Sequence, residues 1–478
     1  MTYRHGVYAS QMPTSITPPR RVSASLPVVV GTAPVHLAKG GAGPVNKVTM
    51  AYTYSEAVEL LGYSDAWEKY TLCEFIYSHF ALFALAPIVF INVFDPAVHK
   101  ADVAEGAATF ADDEIKLDHG DLLGPVVVTS SDKATTYVED TDYEVDRVAG
   151  VIRRMATGSI TAGDTINRSY TYADPSKVTA ADIVGGVDSE TGALTGLELV
   201  NEVFPKYRLV PGLIVAPGWS SASTVSAVMT AKAKTINGLF SCKAIIDIDD
   251  ATVTRYSDAP EYKNQNNLTD PAQVVCWPRV KLGTKTFHMS TQLAGLMAKV
   301  DADNEDIPYA SPSNHNFQMD AMVANGKEVW LQPEQANYLN GNGIVTALNF
   351  IGGWKCWGNR TACYPANTDP KDAWISVSRM FTWVGNTLIL SHWSRVDAPA
   401  KRRLIETIRD SAQMWLDGLV SRQFLLGARV EFQADENAVT DMMDGISRFH
   451  VYMTPPSPAR EIDFIQEYDP AYFSTLFA

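Results

Sequence analysis

The chain has 478 residues, 46% hydrophobic and 19% charged, and its 54 Asp and Glu against 39 Lys and Arg give a formal charge of −15. This composition excludes disorder, collagen and a disulfide scaffold; the acidic balance argues against duplex nucleic acid or an anionic membrane as main partner, because both reward clustered Lys and Arg. At roughly 150 residues per domain the length suggests about three domains, each able to bury a core, and another protein is the expected partner.

Met1 to Thr14 hold Arg4 and His5 without an apolar stretch, so no secretory signal is expected and folding is expected in the cytoplasm. Gly6 to Ala9 alternates, and Met12-Pro13-Thr14-Ser15 and Pro18-Pro19 follow, a pattern that predicts an extended arm. A strand over 26–30, a helix over 55–61, a longer helix over 67–85 and a strand over 88–94 then alternate as in an α/β layer. Residues 76–94 are apolar enough to raise a membrane span. His79, Pro87 and Asn92 interrupt them and divide them into a helix end and a buried strand, so no membrane insertion is expected. Short runs at 126–128, 135–138, 143–145, 151–155 and 165–172 come next, separated by Asp and Gly turns. Fifteen acidic and six basic residues fall within 101–174, which predicts an inserted, solvent-facing β domain.

Strand and helix signals then alternate again. A strand at 213–216 leads to a helix opening at Ser221, with Val225, Val228, Met229 and Ile236 on one face and Gly238 as its stop. Strands at 244–247 and 274–277, a helix over 290–300 and a loop over 301–316 follow. Next come a strand at 344–350, a tight Gly352-Gly353 region and two long helices over 374–391 and 400–420. Leu404, Ile405, Ile408, Ala412, Trp415, Leu416 and Leu419 form the apolar stripe of the second helix. The chain is predicted to close with a strand, a short helix and strands at 448–453 and 461–466. The fold class is α/β, mixed α+β, and multidomain.

Several local patterns could carry chemistry. Gly218-Trp219-Ser220-Ser221-Ala222 follows a strand and opens a helix, as a hydrolase nucleophile elbow does, but its fifth residue is Ala. Ser220 or Ser221 as a helix N-cap explains the same residues and is preferred. Asp247, Asp249 and Asp250 resemble a magnesium cluster, yet no phosphate loop accompanies them and a solvated strand end is the simpler reading. Asp301, Asp303 and Glu305 fail as a calcium loop, since Asp306 stands where Gly is needed and Pro312 where Glu is needed. Nine scattered histidines form no zinc motif. The five cysteines, Cys73, Cys242, Cys276, Cys356 and Cys363, are odd in number with no Cys-x-x-Cys, as reduced and mostly buried thiols would be. Lys401-Arg402-Arg403 opens a helix, where cations oppose the macrodipole; an exposed solvated cluster is the simpler reading, and an acidic partner surface is the alternative.

Gly353-Trp354-Lys355-Cys356-Trp357-Gly358-Asn359-Arg360-Thr361 resembles the Trp-Gly-x-Arg-Thr signature of bacteriophage contractile tail sheath proteins. Other segments agree in order: Gly6-Val7-Tyr8, Val29-Val30-Gly31-Thr32-Ala33, Val215-Ala216-Pro217-Gly218, Ser311-Pro312-Ser313-Asn314, and the closing region 455–477. The insertion, with Thr136-Tyr137-Val138 and Thr141-Asp142-Tyr143-Glu144-Val145, looks like a β module of phage tail surfaces. Within the signature, Trp357 reads as an apolar anchor, Gly358 as a close turn, and Arg360 as a fork for carboxylates or chain-end carbonyls, with Thr361 beside it.

The resemblance implies a linking arm at 1–25, an α/β sheath core at 26–101 and 175–345, and an outward-facing β domain at 102–174. It further implies a C-terminal α/β domain lining the tube at 346–463 and a second arm at 464–478. Gly6, Val7 and Tyr8 at one end and Phe464, Ile465 and Tyr468 at the other would add strands to neighbouring subunits. Lys401, Arg402 and Arg403 would face the tail tube, and Cys363, which a loop follows, is the candidate inter-subunit thiol outside the reducing cell. The implied partners are the chain itself, in hexameric rings stacked as a helical sheath, then tail tube, baseplate and terminator proteins. The implied location is the virion, after assembly in the host cytoplasm. No enzyme activity, cofactor, metal or nucleic acid is expected. The alternatives are a serine hydrolase centred on Ser220 and the sheath of a headless bacteriocin or injection device.

Overall fold

Strands of a parallel sheet covered on both faces are unbroken apolar runs, and such runs build the core. The computed structural model describes residues 23–477. β1 (Pro27–Gly31), β2 (Val48–Ala51) and β3 (Ile88–Asn92) come first, with α1 (Tyr54–Leu61) and α2 (Thr71–Ile76) between the last two. The segment that follows holds β4 (Lys100–Thr109), β5 (Glu114–Lys116), β6 (Leu122–Ser130), β7 (Tyr143–Asp146), β8 (Val151–Arg154) and β9 (Thr165–Ala173). The core resumes with β10 (Leu213–Val215), α3 (Ser223–Lys234), β11 (Lys243–Asp247) and β12 (Gln273–Cys276). β13 (Arg279–Leu282), β14 (Lys285–Phe287), β15 (Ala321–Ala324) and β16 (Lys327–Val329) make a small antiparallel sheet interrupted by α4 (Met289–Asp303). β17 (Ile344–Asn349), β18 (Trp354–Trp357), α5 (Ile375–His392), α6 (Arg402–Ser421), β19 (Gly427–Glu431) and β20 (His450–Thr454) complete the chain.

Eight strands form the central sheet in the order β18-β17-β12-β11-β10-β1-β3-β2. Its inner pairings are parallel, while β2 and β18 run antiparallel at the two edges. β1, β3, β10, β11 and β12 are buried along their whole length. The mixed α/β fold is thus present. The apolar stretch at 76–94 divides as the interrupting residues predict: the helix ends in a wider π turn over Tyr77–Leu82 and the rest is β3. The helix is shorter than expected at its start, because Trp67 to Lys69 form a turn. Among the described residues no helix is long and apolar enough to cross a membrane.

β4 to β9 form two three-stranded sheets, β4-β9-β6 and β5-β8-β7, around a separate core that includes Phe110, Ile115, Val126, Val128, Ile152 and Ile166. Lys100 pairs with Ala173, so this module leaves and rejoins the core on neighbouring strands. It is also tethered: Asp121 accepts a 2.9 Å hydrogen bond from the Tyr70 hydroxyl and lies 3.6 Å from His36 Nε2. The strand expected at 135–138 is reduced to a single bridge between Thr129 and Thr136, while β4 and β5 are additional.

Trp383 and Trp415, 5.6 Å apart between ring centroids, pack α5 against α6. The apolar stripe of α6 is as expected, with Ala412, Leu416 and Leu419 fully inside. α3 begins at Ser223, and its N-cap is Ala222 without a side-chain cap, so neither Ser220 nor Ser221 caps it. Its regular turns stop at Lys234, ahead of Ile236 and Gly238. The strand expected at 461–466 does not form in the isolated chain. Residues 455–469 carry no regular element, and a short 3-10 helix over Pro470–Phe477 follows.

Candidate functional site

β18 is an edge strand, and its outer side is covered by a sequence-distant segment. Asn314 N–H donates to the Cys356 carbonyl (2.6 Å), Cys356 N–H to His315 (2.9 Å), and Phe317 N–H to Trp354 (3.1 Å). Gly358 N–H donates to Ser313 Oγ at 3.0 Å. Ser311-Pro312-Ser313-Asn314 and Trp357-Gly358-Asn359-Arg360-Thr361, both singled out in the sequence, therefore meet at one sheet edge. Gly358 has φ 149°, and a Cβ there would lie 2.7 Å from Asn340 Oδ1 and 2.8 Å from the Val345 Cα, so only glycine fits. Trp357 is half-buried and donates its indole N–H to Asn337 Oδ1 at 2.9 Å. Thr361 is buried and donates to the Asp372 carbonyl at 2.6 Å.

Arg360 departs from its expected role. Its guanidinium carbon stands 3.3 Å from the Trp374 ring centroid and 4.3 Å from that of Tyr364. It is a stacked cation, and among the described residues no carboxylate pairs with it. Trp357, Arg360 and Tyr364 line an open cleft of about 790 Å3 whose other wall includes Pro458, Arg460 and Glu461. The C-terminal segment thus leaves the fold past the signature.

Gly6, Val7 and Tyr8 lie outside the described residues. Phe464, Ile465 and Tyr468 are 83%, 89% and 75% exposed, and with Ile462 they make an apolar segment that pairs with no strand among the described residues. A partly open ribbon precedes this segment in the chain. β19 and β20 form an isolated two-stranded sheet. Gln413 on α6 accepts from Val430 N–H (2.7 Å) and donates to the Ala428 carbonyl (3.2 Å), satisfying part of the outer side of β19. Arg429 therefore faces its partner Tyr452, and the alternation turns the backbone groups of Val451 and Met453 outward. Among the described residues no strand joins that edge.

Lys401 is the N-cap position of α6, and Arg402, the first helical residue, pairs with Glu406 at 2.7 Å. Lys401 and Arg403 are exposed and have no ion-pair partner among the described residues. Cys363 is not the accessible thiol that its loop suggested. It is buried, with its sulfur within 3.2 Å of Thr361 Oγ1 and 3.8 Å of the Asn367 carbonyl, and burial pushes its pKa up. All five cysteines are buried and free.

Ser220 has no access to solvent. Its hydroxyl donates to Asp247 Oδ2 and accepts from Asp247 N–H, both at 3.0 Å. The Asp247 carboxylate also accepts from Ser290 N–H at 2.8 Å. A hydroxyl bound to a buried carboxylate, with no imidazole as its partner, is a structural joint between β11 and α4. Asp247 is not a solvated strand end, and Asp250 is also buried, 2.8 Å from Arg279. Among the described residues no cluster could hold a metal ion.

One joint escaped the sequence reading. Arg379 and Asp301 are buried and paired; Arg379 donates to Asp301 Oδ1 at 3.1 Å, to Ser25 Oγ at 2.6 Å and to the Ala24 carbonyl at 3.3 Å, while Ser25 Oγ donates to Asp301. The only sign of it was a charge in the apolar run of α5. It ties the first described residues to α4 and α5.

Known proteins resemble this chain along its length. A family described as Protein of unknown function UCP028589 matches residues 94–183, which span the β module. The tail sheath protein of Burkholderia phage BcepMu is 29% identical over 486 residues, covering 99% of this chain and 98% of that one. The sheath complex of an extracellular contractile injection system in its contracted state aligns over 99% of both chains at 14% identity, with a TM-score of 0.59. The contracted helical sheath of the anti-feeding prophage aligns over 98% of this chain and all of that one at 12% identity, with a TM-score of 0.57. At these identities the likeness to the two solved sheaths is one of fold.

Proposed function

We propose that this chain is a contractile tail sheath protein of the bacteriophage kind, whose identical copies polymerise as a helical sheath around a tail tube and contract to drive it through the host envelope. The observation that carries this reading is the end-to-end match to a phage tail sheath protein, supported by a fold shared with sheaths solved in contracted helical form.

A heterologous contact that does not close on itself generates a helix from identical subunits. The two ends of this chain suit such a contact. The outward backbone groups of Val451 and Met453 offer an edge, and the exposed apolar residues Ile462, Phe464, Ile465 and Tyr468 lie on a segment that lacks one among the described residues. Strand addition supplies main-chain hydrogen bonds while side chains set the register. We assign the same role to Gly6, Val7 and Tyr8. Strands carried on extended segments let each subunit rotate as a body without leaving the lattice, so contraction becomes a switch between two packings of the same subunits. The work comes from new subunit contacts, with no catalytic step.

The finer partners follow from this reading: hexameric rings stacked in register, a tube contact at Lys401, Arg402 and Arg403, and baseplate and terminator proteins at the two ends. The β module at 102–174 faces outward, and assembly takes place in the host cytoplasm before the sheath enters the virion. The fold likeness to an extracellular injection system suits a headless device equally, and the genes beside this one would separate the two.

Met453→Pro tests the acceptor edge. Proline removes an outward N–H and is tolerated on an open edge strand, so the variant should fold as wild type yet sediment as monomer where wild type sediments as tubes. Tubes of wild-type yield from the variant would reject β20 as the acceptor.

A further inference from the structure

An apolar groove of about 410 Å3 opens where the short helix Val203–Tyr207, the turn at Leu239 and the end of α5 converge. Phe204 and Phe240, with ring centroids 4.8 Å apart, line it together with Leu239, Ile389, Leu390 and Trp393. Leu239 and Trp393 are 44% and 58% exposed, and a grouped apolar surface of this kind marks a contact site. Cations stand around it. Arg208 is exposed on its lining, with the guanidinium carbon 5.9 Å from the Phe204 ring centroid, and Arg395 closes the 3-10 turn that Trp393 opens. Neither has an ion-pair partner among the described residues.

We propose that this groove receives the C-terminal knob, residues 468–476, of a second copy of the chain. The knob is preformed. Pro470–Phe477 winds as a 3-10 helix, Asp469 Oδ1 accepts from Ala471 N–H at 2.9 Å at its start, and the Tyr468 ring centroid lies 6.1 Å from that of Phe473. Side chains three residues apart eclipse in a 3-10 helix, which puts Pro470, Phe473 and Leu476 on one face. Phe473 and Leu476 are 53% and 72% exposed, so this apolar face is largely uncovered in the single chain. A partner shaped before it binds loses less freedom on docking.

Shape and charge both match. An apolar groove receives a helix through anchors spaced by about one turn, and ring packed on ring adds to the gain from buried area. Residues 461–477 hold Glu461, Asp463, Glu467 and Asp469 and no Lys or Arg, opposite in sign to Arg208 and Arg395, and such complementarity selects the partner and its register. A knob at the end of one chain seated in a groove of the next is a heterologous contact, which repeats without closing. The inference deepens the sheath reading and rests on it: the arm residues Phe464 and Ile465 lead directly into the knob, so one arm carries both a strand and an anchor.

The test uses the full-length chain. A copy carrying Leu239→benzoylphenylalanine is mixed with a wild-type copy labelled with heavy nitrogen, photo-activated, and the adduct mapped by mass spectrometry. An adduct from the unlabelled copy to labelled residues 468–476 is expected. An adduct confined to the probe's own chain, one to other residues only, or none overturns the proposal. The concentration giving half-maximal adduct should rise at least about fivefold when the labelled copy carries Phe473→Ser, and likewise when the probe copy also carries Arg208→Glu; a smaller rise in either overturns it. Both substituted side chains are exposed, and circular dichroism checks that each variant is folded. Electron microscopy of the same samples separates this proposal from the sheath reading: the adduct without tubes keeps the docking and rejects the sheath, and tubes without the adduct reject the docking and keep the sheath.

Discussion

Arg379→Met removes the cation from a carboxylate that has no access to water. The Arg379 side chain is 3% exposed and that of Asp301 is 0%. Without the guanidinium, Asp301 keeps the Ser25 hydroxyl as its side-chain donor. Breaking one side of a buried pair leaves an uncompensated charge and costs about 3–5 kcal/mol, or roughly 6–20 °C in melting midpoint at the 2–4 °C per kcal/mol of a domain of 150–250 residues. The loss should depend on pH. Asp306 already has its pKa raised to about 6 by burial and by the Asp301 charge, with Arg379 opposing that rise. A carboxyl whose folded pKa exceeds its unfolded value near 3.9 gains a proton on folding, so it destabilises as pH climbs from about 4 through 6. The variant should therefore lose more relative to wild type at pH 8 than at pH 5. Differential scanning calorimetry at both pH values, together with Asp301→Asn and the double variant, gives the cycle. A coupling of at least about 2 kcal/mol is expected. A single-variant loss under about 1 kcal/mol, or one equal at the two pH values, would refute the reasoning.

Gly358→Ala should cost about 2 kcal/mol or more, because its Cβ meets the Val345 backbone at 2.8 Å; urea denaturation against Gly353→Ala, which has φ 88° but open space, isolates the clash. Lys243 is buried, and desolvation lowers its pKa to about 8. Its penalty is full below pH 8 and fades toward an unfolded pKa near 10.4, so wild type should gain up to about 3 kcal/mol on Lys243→Met between pH 8 and pH 10; a constant difference in melting would contradict this. Deleting 102–174 with a short linker should leave a folded core that still assembles, since the two ends of the module meet where Lys100 pairs with Ala173. The loss of Asp121 from Tyr70 and His36 should cost about 1–3 kcal/mol. Failure of that deletion to form tubes in electron micrographs would place the module inside the assembly.

The central sheet was legible because its strands are buried apolar runs, which stand out from any surroundings. The Trp-Gly-x-Arg-Thr segment was legible through its resemblance to the tail sheath signature, and the structure adds the reason for its glycine, since a side chain at Gly358 would meet Asn340 and the Val345 backbone. β4 was not, since Lys100-Ala101-Asp102-Val103-Ala104-Glu105-Gly106 is made of small and charged residues that favour no strand on their own, and its ladder is bulged between Val103 and Gly106. Glu461 to Gln466 reads as a strand but stays unpaired, because strand pattern alone does not provide a neighbour. Arg360 was assigned to carboxylates or chain-end carbonyls from its donors, whereas within the described chain it stacks on the flat faces of Trp374 and Tyr364. Ser220 reads as a helix N-cap and Asp247 as a solvated strand end, yet both are buried and bonded to each other, because a buried polar joint uses the same side chains as caps, exposed strand ends and catalytic groups. The Arg379 joint depends on three segments far apart in the chain, and no local pattern carries that information.

The most direct test of the assembly account is negative-stain electron microscopy of the purified full-length chain beside a chain lacking residues 1–19, over a range of concentrations. Hollow striated tubes from the full-length protein and none from the trimmed one are the predicted result. Tubes of equal yield from both would contradict strand exchange through the N-terminal arm, and persistent monomer from both, even with a tube protein added as template, would contradict self-assembly as a sheath.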